Sequence, residues 1–177
     1  MSPPVSKLES DNLLKHFVAT ALMVRDDRIL LIHHKRIGLW LPPGGHIEAR
    51  EEPVAALRRE VREETGLEIE ILHESVDPLA SDEVVQVLPL PHHIQVERMA
   101  DGPHDHIDLV YLCRVRPGEA QGNEESLGLR WFTREDLAST DIVENVRFFA
   151  RQAITEVAMR EGRSPRRPSP PTERSPP

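Results

Sequence analysis

Apolar residues along the chain fall into period-two runs in several stretches and into helical periodicity in others. The run "HFVATALMV" (residues 16–24) is rich in apolar and β-branched side chains and predicts a strand. "RDD" (25–27) interrupts it as a turn, and "RILLIHH" (28–34) resumes it, so the two predict a hairpin. "LWLPPGG" (39–45) holds two prolines and two glycines and reads as a shaped loop that continues neither strand nor helix. Residues 53–65 have helical character: Pro53 suits the first turn, and Gly66 suits the C-cap. "LEIEILHE" (67–74) alternates like a strand, "VVQVLPL" (84–90) and "HHIQVERM" (92–99) are candidate strands parted by prolines, and "HIDLVYLCRV" (106–115) is the clearest strand of all. "MADGPHD" (99–105) predicts a turn and "LRWF" (129–132) a short extended piece. "TREDL" (133–137) predicts a helix start capped by Thr133, and residues 142–159 a second long helix. These strands and helices occupy residues 15–160, after a polar lead-in (1–14).

On a helical wheel at about 100° per residue, Leu57, Val61 and Val54 form one apolar stripe. Glu64, Glu60 and Glu63 fall together along one side of it. Glu64 borders the stripe and is expected to be partly buried, and the small Ala56 leaves room above the patch. Glu60 and Glu64 are like charges one turn apart, an arrangement that costs a few tenths of a kcal/mol unless a cation compensates. Hard divalent cations such as Mg²⁺ take oxygen ligands of this kind. A charged, solvated helix accounts for the composition equally well.

The charge balance constrains the partner. The 177 residues carry a net charge of −8. The last stretch, "GRSPRRPSPPTERSPP", has six prolines in sixteen residues, and a segment so composed buries too little surface to fold. Residues 161–177 therefore read as a disordered tail. Four arginines and one glutamate give this stretch about +3, which leaves about −11 on the rest. Such a surface disfavours nucleic acid and asks for a cation between protein and any phosphate substrate. The single cysteine, Cys113, excludes an intramolecular disulfide. The first residues lack the layout of a secretory signal, and no apolar run approaches a membrane span, so the expected setting is cytoplasmic, without a membrane partner.

Spacing separates the two readings of the glutamates. From Gly45 the chain runs five residues to Glu51, seven more to Arg59-Glu60-Val61, then Glu63-Glu64 and Gly66-Leu67. This resembles the Nudix box, G-x5-E-x7-R-E-U-x-E-E-x-G-U with U apolar, at every defined position. The lead-in Trp40-Leu41-Pro42-Pro43-Gly44-Gly45 resembles the W-x-x-P-G-G that often precedes the box, and Glu125, six residues before Trp131, resembles a looser E-x5-W element.

The resemblance implies a Nudix-type α/β/α sandwich with a mixed β-sheet between helices. It implies hydrolysis of a diphosphate bond in a nucleoside diphosphate linked to another moiety, with Mg²⁺ or Mn²⁺ as cofactor. Substrates of the family include nucleoside triphosphates, nucleotide sugars, ADP-ribose and dinucleoside polyphosphates. Carried over by position, Glu60, Glu63 and Glu64 bind the metal with the carbonyl of Gly45, and Arg59 pairs with Glu51. Candidates for the general base are Glu64, Glu63 and Glu125, with Glu64 favoured by its wheel position. A homodimer is compatible with the resemblance. A non-catalytic nucleotide-sensing module is the rival reading, disfavoured by the intact box; an isomerase variant of the fold would need a catalytic cysteine, and Cys113 lies deep in a strand.

Outside the box, His106 and Asp108 share one strand face and can line a substrate cleft. Trp40, Tyr111 and Trp131 can stack a base, although lone aromatics more often anchor a core or a loop. The nine histidines include the adjacent pairs 33–34 and 92–93, and His104 with His106, but show no compact metal-ligand spacing.

Overall fold

The computed structural model describes residues 14–72, 81, 84–98, 104–124, 126–139 and 141–163. Its centre is a parallel pair of long strands, β1 (Leu14–Arg25) and β7 (His104–Val115), in register from Leu14 opposite His104 to Val24 opposite Arg114. The other strands are β2 (Arg28–His34), β3 (Trp40–Leu41), β4 (Gly44–His46), β5 (Ile69–Ile71), β6 (His93–Arg98) and β8 (Ser126–Phe132). All eight join one mixed sheet. Both edges of the central pair divide. The outer edge of β1 pairs with β4 at Val18–Thr20 and with β2 at Val24–Arg25. The outer edge of β7 pairs with β6 at Asp105–Val110 and with β5 at Cys113–Val115.

The hairpin from β1 to β2 turns through Asp26 and Asp27, with φ of 51° and 59°. Two successive left-handed residues match the strand twist in a two-residue hairpin, and aspartate tolerates the conformation. Alternation along β1 then builds two cores. Leu22 and Val24 join Leu31, Leu112 and Phe132 on one face, which is covered by helix α2 (Glu144–Arg160) through Val146, Ala150, Ile154 and Val157. Ala19, Ala21 and Met23 join Leu30, Tyr111 and Cys113 on the other, covered by helix α1 (Pro53–Thr65) through Val54, Leu57 and Val61. The result is the α/β/α sandwich.

Helix α1 has the predicted bounds: Pro53 occupies its first turn, and Gly66 closes it at φ 68° while donating its N–H to the Arg62 carbonyl at 2.9 Å. Several expectations need correction. The Pro-Gly loop at 39–45 contains two short strands, β3 and β4, on either side of Pro42-Pro43. Residues 84–90 form no strand, in keeping with Pro89 among them and Pro91 just after. Ala56 is fully buried. The predicted helix start at 133–137 is a single 3₁₀ turn, Asp136–Ala138, held where Thr133 and Asp136 exchange backbone-to-side-chain bonds of 3.0 and 3.2 Å. The Arg147 guanidinium clamps that turn to α2 by donating to the carbonyls of Leu137, Ser139 and Ile142. No described helix is long and apolar enough to cross a membrane.

Candidate active site

The site forms where β4 leans across the N-terminal half of β1 and meets the C-terminal turns of α1. Gly44 lies so close to β1 that a Cβ on it would sit 2.4 Å from the Ala19 carbonyl oxygen. A Cβ on Gly45 would sit 2.5 Å from the carboxylate of Glu60. Only glycine lets a strand approach both neighbours this closely. Glu64, one turn beyond Glu60, is 8% exposed and accepts the Gly44 N–H on Oε2 at 2.9 Å. The helix has thus brought two carboxylates against the main chain of the glycine pair. Glu63 turns outward, its side chain 57% exposed, within 3.5 Å of Arg59.

Arg59 ties the loop to the helix. It grips Glu51 with two bonds of 2.9 Å, Nε to Oε1 and Nη2 to Oε2. Nη2 also donates to the His46 carbonyl at 3.0 Å, and Nη1 to Glu60 at 2.7 Å. A planar guanidinium can span such a set, which a lysine cannot. The hydrogen bonds from Arg59 hold the Glu51 carboxyl below its usual range. These contacts orient Glu60 and close the loop over the first turn of α1.

Glu60 and Glu64 form part of the wall of a cleft of about 770 Å³. Asp108 and His106 stand on the same wall, both from β7. Asp108 is 1% exposed, and its Oδ2 accepts from Gln95 of β6 at 2.9 Å. Burial, reinforced by the negative charge of Glu97, pushes its carboxyl up to about 7. His106 places Nδ1 3.6 Å from Glu97 Oε2. Deeper along β6, His93 stacks on Phe149 of α2 at 3.7 Å, and burial lowers its pKa ahead of the effect of His92.

Trp40 is not brought to the cleft. Its ring stacks on His33 at 4.9 Å and meets Phe132 edge-on at 5.0 Å, so it anchors β3 to the core. Tyr111 and Cys113 are buried on the α1 face, and burial pushes the thiol far up. Trp131 packs there too, with the Arg25 guanidinium 4.5 Å from its ring centre. Glu125 lies outside the described residues. Gln95, Glu97 and His93 went unselected from sequence, although their period-two spacing on β6 puts them on one face.

The family model for the NUDIX domain matches residues 14–153. The chain belongs to the NUDIX domain family. It is a Nudix hydrolase, and its fold agrees. A NUDIX-family hydrolase from Clostridium perfringens superposes with a TM-score of 0.71 at 32% identity, covering 80% of this chain and 97% of that one. The nucleoside triphosphatase NudI of Enterobacter sp. (strain 638) is 35% identical over 113 residues, 62% of this chain and 72% of its own. A Lactococcus lactis protein named "Probable DHNTP pyrophosphohydrolase" is 31% identical over 103 residues, 58% of this chain; the match spans only 56% of that relative. In this Nudix hydrolase the box residues occupy one connected structure: Gly45 against the Glu60 carboxylate, Gly66 at the left-handed C-cap of α1, Arg59 and Glu51 as a paired brace, and Glu60 and Glu64 on the cleft wall.

Proposed function

We propose that this Nudix hydrolase is a Mg²⁺-dependent, or Mn²⁺-dependent, pyrophosphohydrolase that cleaves a diphosphate bond of a nucleoside triphosphate or a related nucleoside diphosphate derivative. The observation that carries the reading is the pair of carboxylates, Glu60 and Glu64, set against the Gly44–Gly45 main chain on the wall of the cleft. The donor set is all oxygen, which suits a hard divalent cation. Glu60 and Glu64, with the outward Glu63 and the Gly45 carbonyl, are the groups we assign to it. When bound, the cation supplies charge neutralisation at the diphosphate and polarisation of a water.

The chain's own residues account for the rest. Glu64 is held by the Gly44 N–H, so its carboxylate is oriented before substrate arrives, and we assign it as the proton acceptor for the attacking water. Arg59 keeps Glu60 pointed at the cleft without entering it. Asp108, held by Gln95 on the inner wall, offers an acceptor suited to the edge of a nucleobase or to ribose hydroxyls. The cleft volume is of the size that buries a small molecule. The names of two relatives, a nucleoside triphosphatase and a DHNTP pyrophosphohydrolase, favour the triphosphate class.

The test is product analysis across nucleoside triphosphates, nucleotide sugars, ADP-ribose and dinucleoside polyphosphates with Mg²⁺. A triphosphate is expected to give a nucleoside monophosphate and pyrophosphate, and Glu64→Gln is expected to abolish the reaction. Metal-dependent binding of one of these compounds with no turnover of any would overturn the proposal in favour of a sensing module.

A further inference from the structure

Strand register gathers histidines that lie far apart in sequence. His16 of β1 stands opposite His106 of β7, and Val18 of β1 stands opposite His46 of β4. Positions two apart on a strand share a face, so His16, His46 and His106 project from one face of the sheet at the open end of the β1–β7 pair. Their rings confirm it: His46 and His106 have centroids 4.9 Å apart at 83°, and His16 lies 5.4 Å from His46 and 6.3 Å from His106. One ring nitrogen of each lies within 4.8 Å of one ring nitrogen of the others.

A second observation points to a ligand. His106 is only 9% exposed, yet its Nε2 is buried and has no hydrogen-bond partner among the described residues. Its other nitrogen, Nδ1, is the one near Glu97. A metal-bound histidine has this division of labour, with one nitrogen on the ion and the other oriented by a carboxylate. A buried imidazole nitrogen without a partner is otherwise a cost.

We infer that His16, His46 and His106 form a second metal site, distinct from the glutamate set, that takes a borderline transition ion such as Zn²⁺. The donor chemistry decides the class: three neutral nitrogens suit Zn²⁺ and its neighbours and suit Mg²⁺ poorly. Nitrogens around a tetrahedral Zn²⁺ lie about 2.0–2.1 Å from the ion, hence roughly 3.4 Å from one another. The side chains of His16 and His46 are exposed and close that gap by small rotations. Three protein ligands leave a fourth position for water or an anionic oxygen. His46 follows Gly45 directly, so this site adjoins the carboxylates and faces the mouth of the same cleft.

The experiment is calorimetric titration of Zn²⁺ alone into the full chain with excess Mg²⁺ present, so that the glutamate set is occupied. Wild type is expected to bind one Zn²⁺. His16→Ala/His46→Ala is expected to weaken that binding by more than about 100-fold, since loss of an orienting carboxylate already costs about 10–100-fold. Glu97→Gln is expected to fall between. His92→Ala/His93→Ala, which alters an adjacent histidine pair outside the cluster, keeps the affinity. Co²⁺ in place of Zn²⁺ is expected to give the strong visible absorption of a four-coordinate ion in wild type and not in the double variant. Circular dichroism of each variant confirms its fold. Absence of Zn²⁺ uptake by wild type, or unchanged uptake in His16→Ala/His46→Ala, overturns the site. The readout is metal binding, so failure here leaves the hydrolase reading untouched.

Discussion

Replacing Asp108 by asparagine should stabilise the protein, and only above mildly acidic pH. The carboxyl is 1% exposed, and its Oδ1 lacks a partner among the described residues. Burial first, and Glu97 second, raise its pKa from 3.8 to about 7 against the opposing bonds from Thr20 and Gln95. A carboxyl whose folded pKa lies above its unfolded one favours the folded state when protonated. That stability is fully present below the unfolded value and is lost as pH rises through the folded value. A shift of about 3 units corresponds to at most ~4 kcal/mol, at ~1.36 kcal/mol per unit. Between about pH 5 and about pH 8, wild type should lose ~2–3 kcal/mol that Asp108→Asn retains. Asparagine keeps an acceptor for Gln95 and ionises at no pH. Urea unfolding of both proteins at the two pH values, with chelator throughout, measures the difference directly. Parallel pH profiles, or a variant less stable than wild type at the higher pH, would refute the reasoning.

Arg59→Ala removes the brace between loop and helix. It should cost about 1–3 kcal/mol in denaturant unfolding, since its pairs with Glu51 and Glu60 are largely shielded from solvent. Gly45→Ala forces the Glu60 carboxylate aside and should lower turnover about 100-fold with the fold kept, because displacements of about 1 Å at a reacting site have that effect. Gly66→Ala places a Cβ at φ 68° and should lower stability by about 1–2 kcal/mol without changing kcat. Trp40→Ala should lower the thermal midpoint through lost packing on Phe132, equivalent to about 2 kcal/mol or more, while KM stays unchanged.

Local signals carried the sequence reading far. The ends of α1 were legible because a proline and a glycine mark them, and the hairpin because two aspartates follow an apolar run. Burial of Glu64 was legible from the wheel, since its angle borders the apolar stripe. The β1–β7 pairing was not, because parallel register depends on residues some ninety positions apart, with no local cue. For the same reason the histidines gave no ligand spacing: His16, His46 and His106 come from three strands. The role of Trp40 depended on whether its ring faced cleft or core, and only its contacts with His33 and Phe132 decide that.

The most direct test of the central claim measures Mn²⁺ binding and nucleotide hydrolysis together in wild type, Glu60→Gln and Glu64→Gln. The account predicts that wild-type turnover requires the ion, that both variants bind Mn²⁺ more weakly, and that Glu64→Gln loses at least about 100-fold in turnover at an unchanged thermal midpoint. Full turnover under chelator, or in Glu64→Gln, would contradict it.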